Sequence, residues 1–286
     1  MAKILFIGDV VGKPGRKALA QVLPQWKEKY KPDVIIVNVE NLAHGKRVTL
    51  KTLAEIDQLG IDAYTGGNHI FKKNGLSDEC FEKYPNLVRP ANFVSLKQKD
   101  GSIITVPGYG FYRFAKENGS KGNDGSKGLE QYLIINLNGQ VFMEKQFDGE
   151  IANPFHTIDQ LLSQESQKGD IIFVDFHCEA TSEKVAMGYY VNGRVSAIVG
   201  THTHVPTSDY RILPQGTAYI TDVGMVGTLN SVIGVKKENV LDKFLNPENK
   251  FKNELEEEGP CQVNGVLIEL SENGKAVGIE KLYQEI

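Results

Sequence analysis

Short apolar runs alternate with segments whose apolar positions recur every three or four residues, and this alternation persists along most of the chain. Residues 3–7 read as a buried strand. Ala18, Leu19, Val22, Leu23, Trp26 and Tyr30 then fall at helical spacing, and strand character resumes over 33–39. Pro24 predicts a kink or an early end to that helix. A second helix carries Leu50, Leu53, Ile56 and Leu59 on one face and stops at Gly60, ahead of a strand over 61–65. From residue 103 strands predominate, over 103–106, 129–137 and 140–144, the last two joined by a hairpin turn at Asn138-Gly139. Residues 116–128 have almost nothing to bury and predict a mobile surface loop. Asn153-Pro154 supplies the N-cap and first position of a helix through Leu161 and Leu162. Strands follow over 170–176, 195–199 and 217–221. The charged stretch 236–258 fits a solvated helix or excursion, and 263–270 pairs with 275–282 through a turn at Asn273-Gly274. This is the pattern of a layered α/β protein, expected as one domain over 1–286, without internal repeats.

Composition narrows the possible partners. Hydrophobic residues make up 41% and charged residues 24%, which excludes wholesale disorder and a coiled coil. The net charge of −4 gives no broad cationic surface, so a polymeric nucleic acid is not an expected partner. No apolar run approaches the roughly 20 residues of a membrane span. An acid at Asp9 comes too early for a signal peptide, so the expected location is cytoplasmic, with no membrane partner. Cys80, Cys178 and Cys261 form no CxxC pair, in keeping with a reducing compartment; Cys178 reads as a thiol at a buried strand end.

Chemistry-bearing residues collect at one kind of place. Asp9, Glu40-Asn41, Asn68-His69, His177 and His202-Thr203-His204 each lie just past the end of a predicted strand, where open α/β sheets bind ligands. Four of the six histidines belong to this set. Each residue also has a purely structural reading. Asp9 suits a helix N-cap, Asn68 a turn, His69 a loop, and His177 a core position with backbone hydrogen bonds. Glu40 resists such a reading, because an unpaired buried carboxylate is expensive. Histidines at i and i+2 leave a strand on opposite faces, so His202 and His204 share a centre only in a loop or by reaching two adjacent metals. Jointly the set points to a dinuclear site for borderline divalent ions such as Mn, Fe or Zn. Gly8 to Lys13 is not a Walker A loop, since its spacing is short and Pro14 replaces the Ser or Thr. Gly12 and Gly15 remain open between a tight turn and backbone contacts to phosphate. His44 and His156 read as loop and surface residues.

The ordered motifs Gly8-Asp9, Gly67-Asn68-His69, His177 and Gly200-Thr201-His202-Thr203-His204 resemble those of the calcineurin-like metallophosphoesterase superfamily. Asn38-Val39-Glu40-Asn41, Arg89-Pro90-Ala91-Asn92, Asp175-Phe176-His177-Cys178-Glu179 and Thr221-Asp222-Val223-Gly224-Met225 extend the likeness to its bacterial YmdB-like branch of cyclic-nucleotide phosphodiesterases. That resemblance implies a four-layer α/β/β/α sandwich of two mixed sheets. It also implies two divalent or mixed-valence metals, iron or manganese ahead of zinc. Asp9, Asn41 and His204 would hold the first, Asn68, His177 and His202 the second, and Glu40 both. His69 would be the general acid. Two positions depart from the wider superfamily: Val11 replaces the histidine of its usual DxH motif, and Ile70 replaces the acid that usually follows GNH.

The implied activity is hydrolysis of 2',3'- or 3',5'-cyclic nucleotides by hydroxide generated at the metals. A nucleotidase or phosphomonoesterase would share every ligand, and a metal- and nucleotide-binding regulator with little turnover is the non-enzymatic alternative. The sequence specifies no substrate-binding residue and leaves a homo-oligomer open.

Overall fold

The computed structural model describes residues 1–71, 78–97, 100–121 and 127–286. The first half runs β1 (Ala2–Ile7), β2 (Asp9–Val10), α1 (Gly12–Tyr30), β3 (Val34–Asn38), α2 (Leu50–Asp57), β4 (Ala63–Thr65), α3 (Asp78–Lys83) and β5 (Leu87–Val88). There follow β6 (Phe93–Lys97), β7 (Ile103–Thr105), β8 (Phe111–Lys121), β9 (Lys127–Asn138), β10 (Gly149–Ile151), α4 (Pro154–Glu165), β11 (Ile171–His177), α5 (Thr181–Tyr190) and β12 (Ala197–Thr201). The chain closes with β13 (Arg211–Ile212), β14 (Ala218–Ile220), β15 (Met225–Thr228), α6 (Lys237–Leu245), β16 (Cys261–Leu270) and β17 (Ala276–Glu285).

Eight strands form one mixed sheet, ordered β2-β15-β16-β1-β3-β4-β5 with β17 beside β16, and six form a second, ordered β13-β14-β12-β11-β9-β8. Strand alternation sorts their side chains into three cores. On β1, Leu5 and Ile7 join Leu19, Val22 and Leu53 beneath α1 and α2. Ile4 and Phe6 face the other sheet, where the Phe6 and Phe173 rings lie 5.3 Å apart. On β11, Phe173 faces inward, while Ile172, Val174 and Phe176 turn out toward Met187 of α5 and Ile158 of α4. The result is the expected four-layer α/β/β/α sandwich. A small third sheet, β10-β6-β7, was not anticipated. Among the described residues no helix is long and apolar enough to cross a membrane.

Three expectations need correction. The helix expected to kink or end early at Pro24 does not end there but runs to Tyr30. Pro24 and Ala20 are both exposed, so the carbonyl that loses its partner faces water, while buried Leu23 and Trp26 pin the helix on either side. No hairpin forms at Asn138-Gly139. Asn138 instead pairs in parallel with His177, and residues 141–146 form turns. The strand is diverted because Glu183 accepts the backbone N–H groups of Gln140 and Val141, at 2.9 and 3.1 Å. Gly139 is there for close approach, since a Cβ would stand 2.6 Å from Cys178 Sγ. Finally, 116–121 and 127–128 belong to the β8/β9 ribbon, with Lys121 opposite Lys127; residues 122–126 of the expected loop lie outside the described residues.

Candidate metal centre

The parallel strands β1, β3, β4, β11 and β12 deliver their carboxyl ends to one crest where the two sheets meet. Asp9 follows β1, Glu40 and Asn41 follow β3, Asn68 and His69 follow β4, and His177 ends β11. Beyond β12 the backbone leaves extended geometry: His202 and His204 have φ of 98° and 66°. This strained turn, with Thr203 tied by its N–H and hydroxyl to Asp222, brings both imidazoles to the centre despite their i, i+2 spacing. Gly67 makes room, because a Cβ there would lie 2.1 Å from Glu40 Oε2 and 2.6 Å from His177 Nε2. All seven predicted ligands and His69 therefore meet in one place.

For neutral imidazoles the hydrogen bonds assign the tautomers. The Thr201 hydroxyl donates to Asp175 at 2.7 Å, so it accepts from His177 Nδ1 at 2.9 Å, leaving His177 Nε2 without a proton. His202 Nε2 donates to Glu179 at 2.7 Å, which strips Nδ1. His204 Nδ1 donates to the Ile233 carbonyl at 3.0 Å, which strips Nε2. Each imidazole thus gives its outer N–H away and turns a bare nitrogen inward, as metal-ligating histidines do. His177 Nε2 lies 3.0 Å from His202 Nδ1, 2.9 Å from Asn68 Oδ1 and 3.2 Å from Glu40 Oε1. Four acceptors this close repel one another unless a cation stands among them.

Asn41 gives the same message. Its Nδ2 is 3.0 Å from Glu40 Oε1, 3.2 Å from His204 Nε2 and 3.5 Å from Asp9 Oδ1, while its buried Oδ1 has no partner among the described residues. Turning the amide over offers that oxygen to the same point. The oxygen and imidazole donors suit borderline divalent ions. Burial and the charges of Glu40, Asp222 and Asp175 push Asp9 well above the usual carboxylate range. Burial depresses His177 and His204, keeping their imidazoles neutral and able to ligate.

The structural alternatives fall away at two positions. Asp9 is not a cap, since Val11 occupies the N-cap of α1 without a side-chain bond. His177 makes a side-chain bond to Thr201 rather than backbone bonds. The Gly12 and Gly15 N–H groups donate to Asn41 and Val11 carbonyls, which favours the tight turn over phosphate contact. Cys178 is a buried thiol against Glu183, raised by burial and inert as a nucleophile. His44 is exposed on a separate cleft of about 250 Å³, and His156 is exposed in the first turn of α4.

Sequence reasoning missed the supports behind the cluster. Asp175, Thr201, Glu179 and the Ile233 carbonyl orient the histidines, and a buried Lys184–Asp222 pair backs the 202–204 turn. Asp175 carried a legible signal, a carboxylate inside an apolar strand. Burial raises it to about 7 against hydrogen bonds from Thr65, Thr201 and Asn38. Ile70, where an acid would orient His69, is fully buried in the core beneath α1 and α2. Asn68 Nδ2 instead lies 3.3 Å from His69 Nδ1.

A two-sheet sandwich with this cluster on its crest has the fold of calcineurin-like phosphoesterases. One from Bacillus subtilis superposes on 99% of this chain and 90% of its own, with a TM-score of 0.55 at 13% identity. Within that class the chain belongs to the YmdB-like protein family, whose model matches residues 5–282. It is 43% identical over 98% of its length to the 2',3'-cyclic-nucleotide 2'-phosphodiesterase of Bacillus subtilis, covering 96% of that protein. A Mycoplasma pneumoniae structure described as a novel phosphatase covers 99% of this chain and 93% of its own at 34% identity, with a TM-score of 0.85.

Proposed function

We propose that the protein is a dinuclear-metal-dependent phosphodiesterase that hydrolyses cyclic nucleotides, 2',3'-cyclic ones first. The observation that carries this reading is the set of three histidines whose outer N–H groups are all spent, so that their bare nitrogens converge on Glu40, Asp9, Asn41 and Asn68. Asp9, Asn41 and His204 would hold one ion, Asn68, His177 and His202 the other, and Glu40 would serve both. Bound there, iron or manganese supplies Lewis acidity toward phosphoryl oxygens and brings the pKa of water near neutrality.

The chain's own part is positioning and proton transfer. His69 lines the cavity over the cluster. Its backbone N–H donates to Glu40 Oε2 at 3.1 Å, which ties the general acid to the bridging carboxylate. With Nδ1 receiving the Asn68 amide, the His69 proton sits on Nε2, from which it passes to the departing ribose oxygen. The name of the 43%-identical relative supports the 2',3'-cyclic substrate.

Purification without chelator, elemental analysis and a substrate panel test this reading. The expected result is two metals per chain, with 2',3'-cyclic nucleotides hydrolysed, the activity lost to a chelator and restored by manganese or iron. Turnover of monoesters alone would indicate a nucleotidase or phosphomonoesterase. No turnover of any phosphoester at full metal loading would indicate a regulatory protein.

A further inference from the structure

A cavity of about 450 Å³ opens directly above the cluster, within the roughly 300–1,000 Å³ typical of small-ligand sites. Its floor is polar, made by Glu40, Asn41, His69, His202 and His204. The rest of its lining includes a different material. Helix α6 contributes Val240, Lys243 and Phe244, which at i, i+3 and i+4 share one helical face, and Phe251 joins them. No side chain of α6 is buried in the protein, and Phe244 is 76% exposed although it lines the cavity. Lys243 Nζ sits 4.6 Å over the Phe251 ring.

A phosphate ion needs only the floor. A cavity of this size, lined by the cluster and by two phenylalanines, matches a molecule with an anionic end and a flat apolar end. Lys243 and Asn253, in the same lining, add donors and one acceptor for the edge of such a ring. We infer that the 240–253 segment is a nucleobase subsite, in which Phe244 and Phe251 hold the base of a mononucleotide whose phosphate lies at the cluster. This rests on the phosphodiesterase reading above. Every base has a stackable face, so the subsite distinguishes nucleotides from base-free esters more sharply than one base from another.

The test compares 2',3'-cyclic AMP with methyl riboside 2',3'-cyclic phosphate, which lacks the base, in metal-loaded wild-type protein and in Phe244→Ala, Phe251→Ala and Leu241→Ala. Phe244 is so exposed that its truncation leaves folding intact. The wild type should prefer the nucleotide in kcat/KM, and either Phe substitution should shrink that preference by about 5- to 150-fold, the usual worth of one stacked base. Leu241→Ala, on α6 but off the cavity, should keep it. A preference unchanged in both Phe variants, or lost equally in Leu241→Ala, overturns the subsite. Calorimetric titration with 3'-AMP reads the same contact without turnover, and Phe244→Ala should weaken binding to the same extent. If neither ester is hydrolysed, the phosphodiesterase reading fails while the titration still decides the subsite.

Discussion

Lys184 Nζ lies 2.7 Å from Asp222 Oδ2, with the two side chains only 2% and 0% exposed. The same Asp222 oxygen accepts the Thr203 N–H and hydroxyl, and Oδ1 accepts the Gly224 N–H, so this buried pair is the anchor of the turn that presents His202 and His204. Lys184→Met keeps the bulk but leaves Asp222 buried without its cation. Breaking such a pair costs about 3–5 kcal/mol. Urea denaturation should show a loss of that size, together with weaker metal retention on dialysis. An unchanged midpoint would show that the three remaining donors suffice.

Glu40 faces both halves of the cluster. Oε1 is 3.2 Å from His177 and accepts from Asn41, while Oε2 accepts from His69. Glu40→Gln should therefore release both metals and lower kcat by at least about 10²- to 10³-fold, the order lost when one group that stabilises developing charge is removed. Glu179→Gln should be milder. It weakens only the acceptor that orients His202, and such a change typically costs about 10- to 100-fold in metal affinity. Two metals and normal turnover in Glu40→Gln would refute the bridge, and equal damage from both substitutions would refute the ranking.

What could be read in the sequence was whatever repeats or stands out locally. Nearly continuous apolar runs over residues 3–7 and 170–176 placed the inner strands, and Asn153-Pro154 placed the start of α4 because cap chemistry is local. Glu40 stood out because a carboxylate ending an apolar strand needs a reason. The failures were tertiary. Nothing near Asn138 announces that Glu183, more than forty residues later, takes the Gln140 and Val141 N–H groups and abolishes the hairpin. Pro24 broke a local rule that packing on both sides overrides. The apolar face of α6 was hidden in a charged stretch, since only its position over the crest makes Phe244 meaningful.

The β8/β9 ribbon should be dispensable at its tip. Asn138, at the far end of β9, pairs with His177 at the crest, whereas Lys127 begins the strand eleven residues earlier. At about 3.3 Å per residue, that puts the described start of β9 roughly 35 Å from the site. Replacing residues 119–127 by a short turn should leave kcat/KM within about twofold, since catalytic groups act only within hydrogen-bond reach. A shortened protein that folds and retains metal but loses most of its rate would mean that the ribbon reaches the site in solution.

Asn68 and His69 are adjacent, yet one is assigned to metal and the other to a proton. Asn68 Oδ1 lies 2.9 Å from His177 Nε2, inside the cluster, while the His69 ring stands at its edge with Nδ1 toward the Asn68 amide. Asn68→Ala should deplete one metal and also release the His69 ring, lowering activity through both routes. His69→Ala should keep two metals and lose about 10²- to 10⁴-fold on a cyclic nucleotide, the usual worth of a general acid. The loss should depend on the leaving group. A p-nitrophenolate departs with little need of a proton, so an activated aryl phosphodiester should suffer far less than a ribose ester from the same substitution. Equal losses on both substrates, with both metals present, would remove His69 from proton transfer and leave it a group that positions the phosphate.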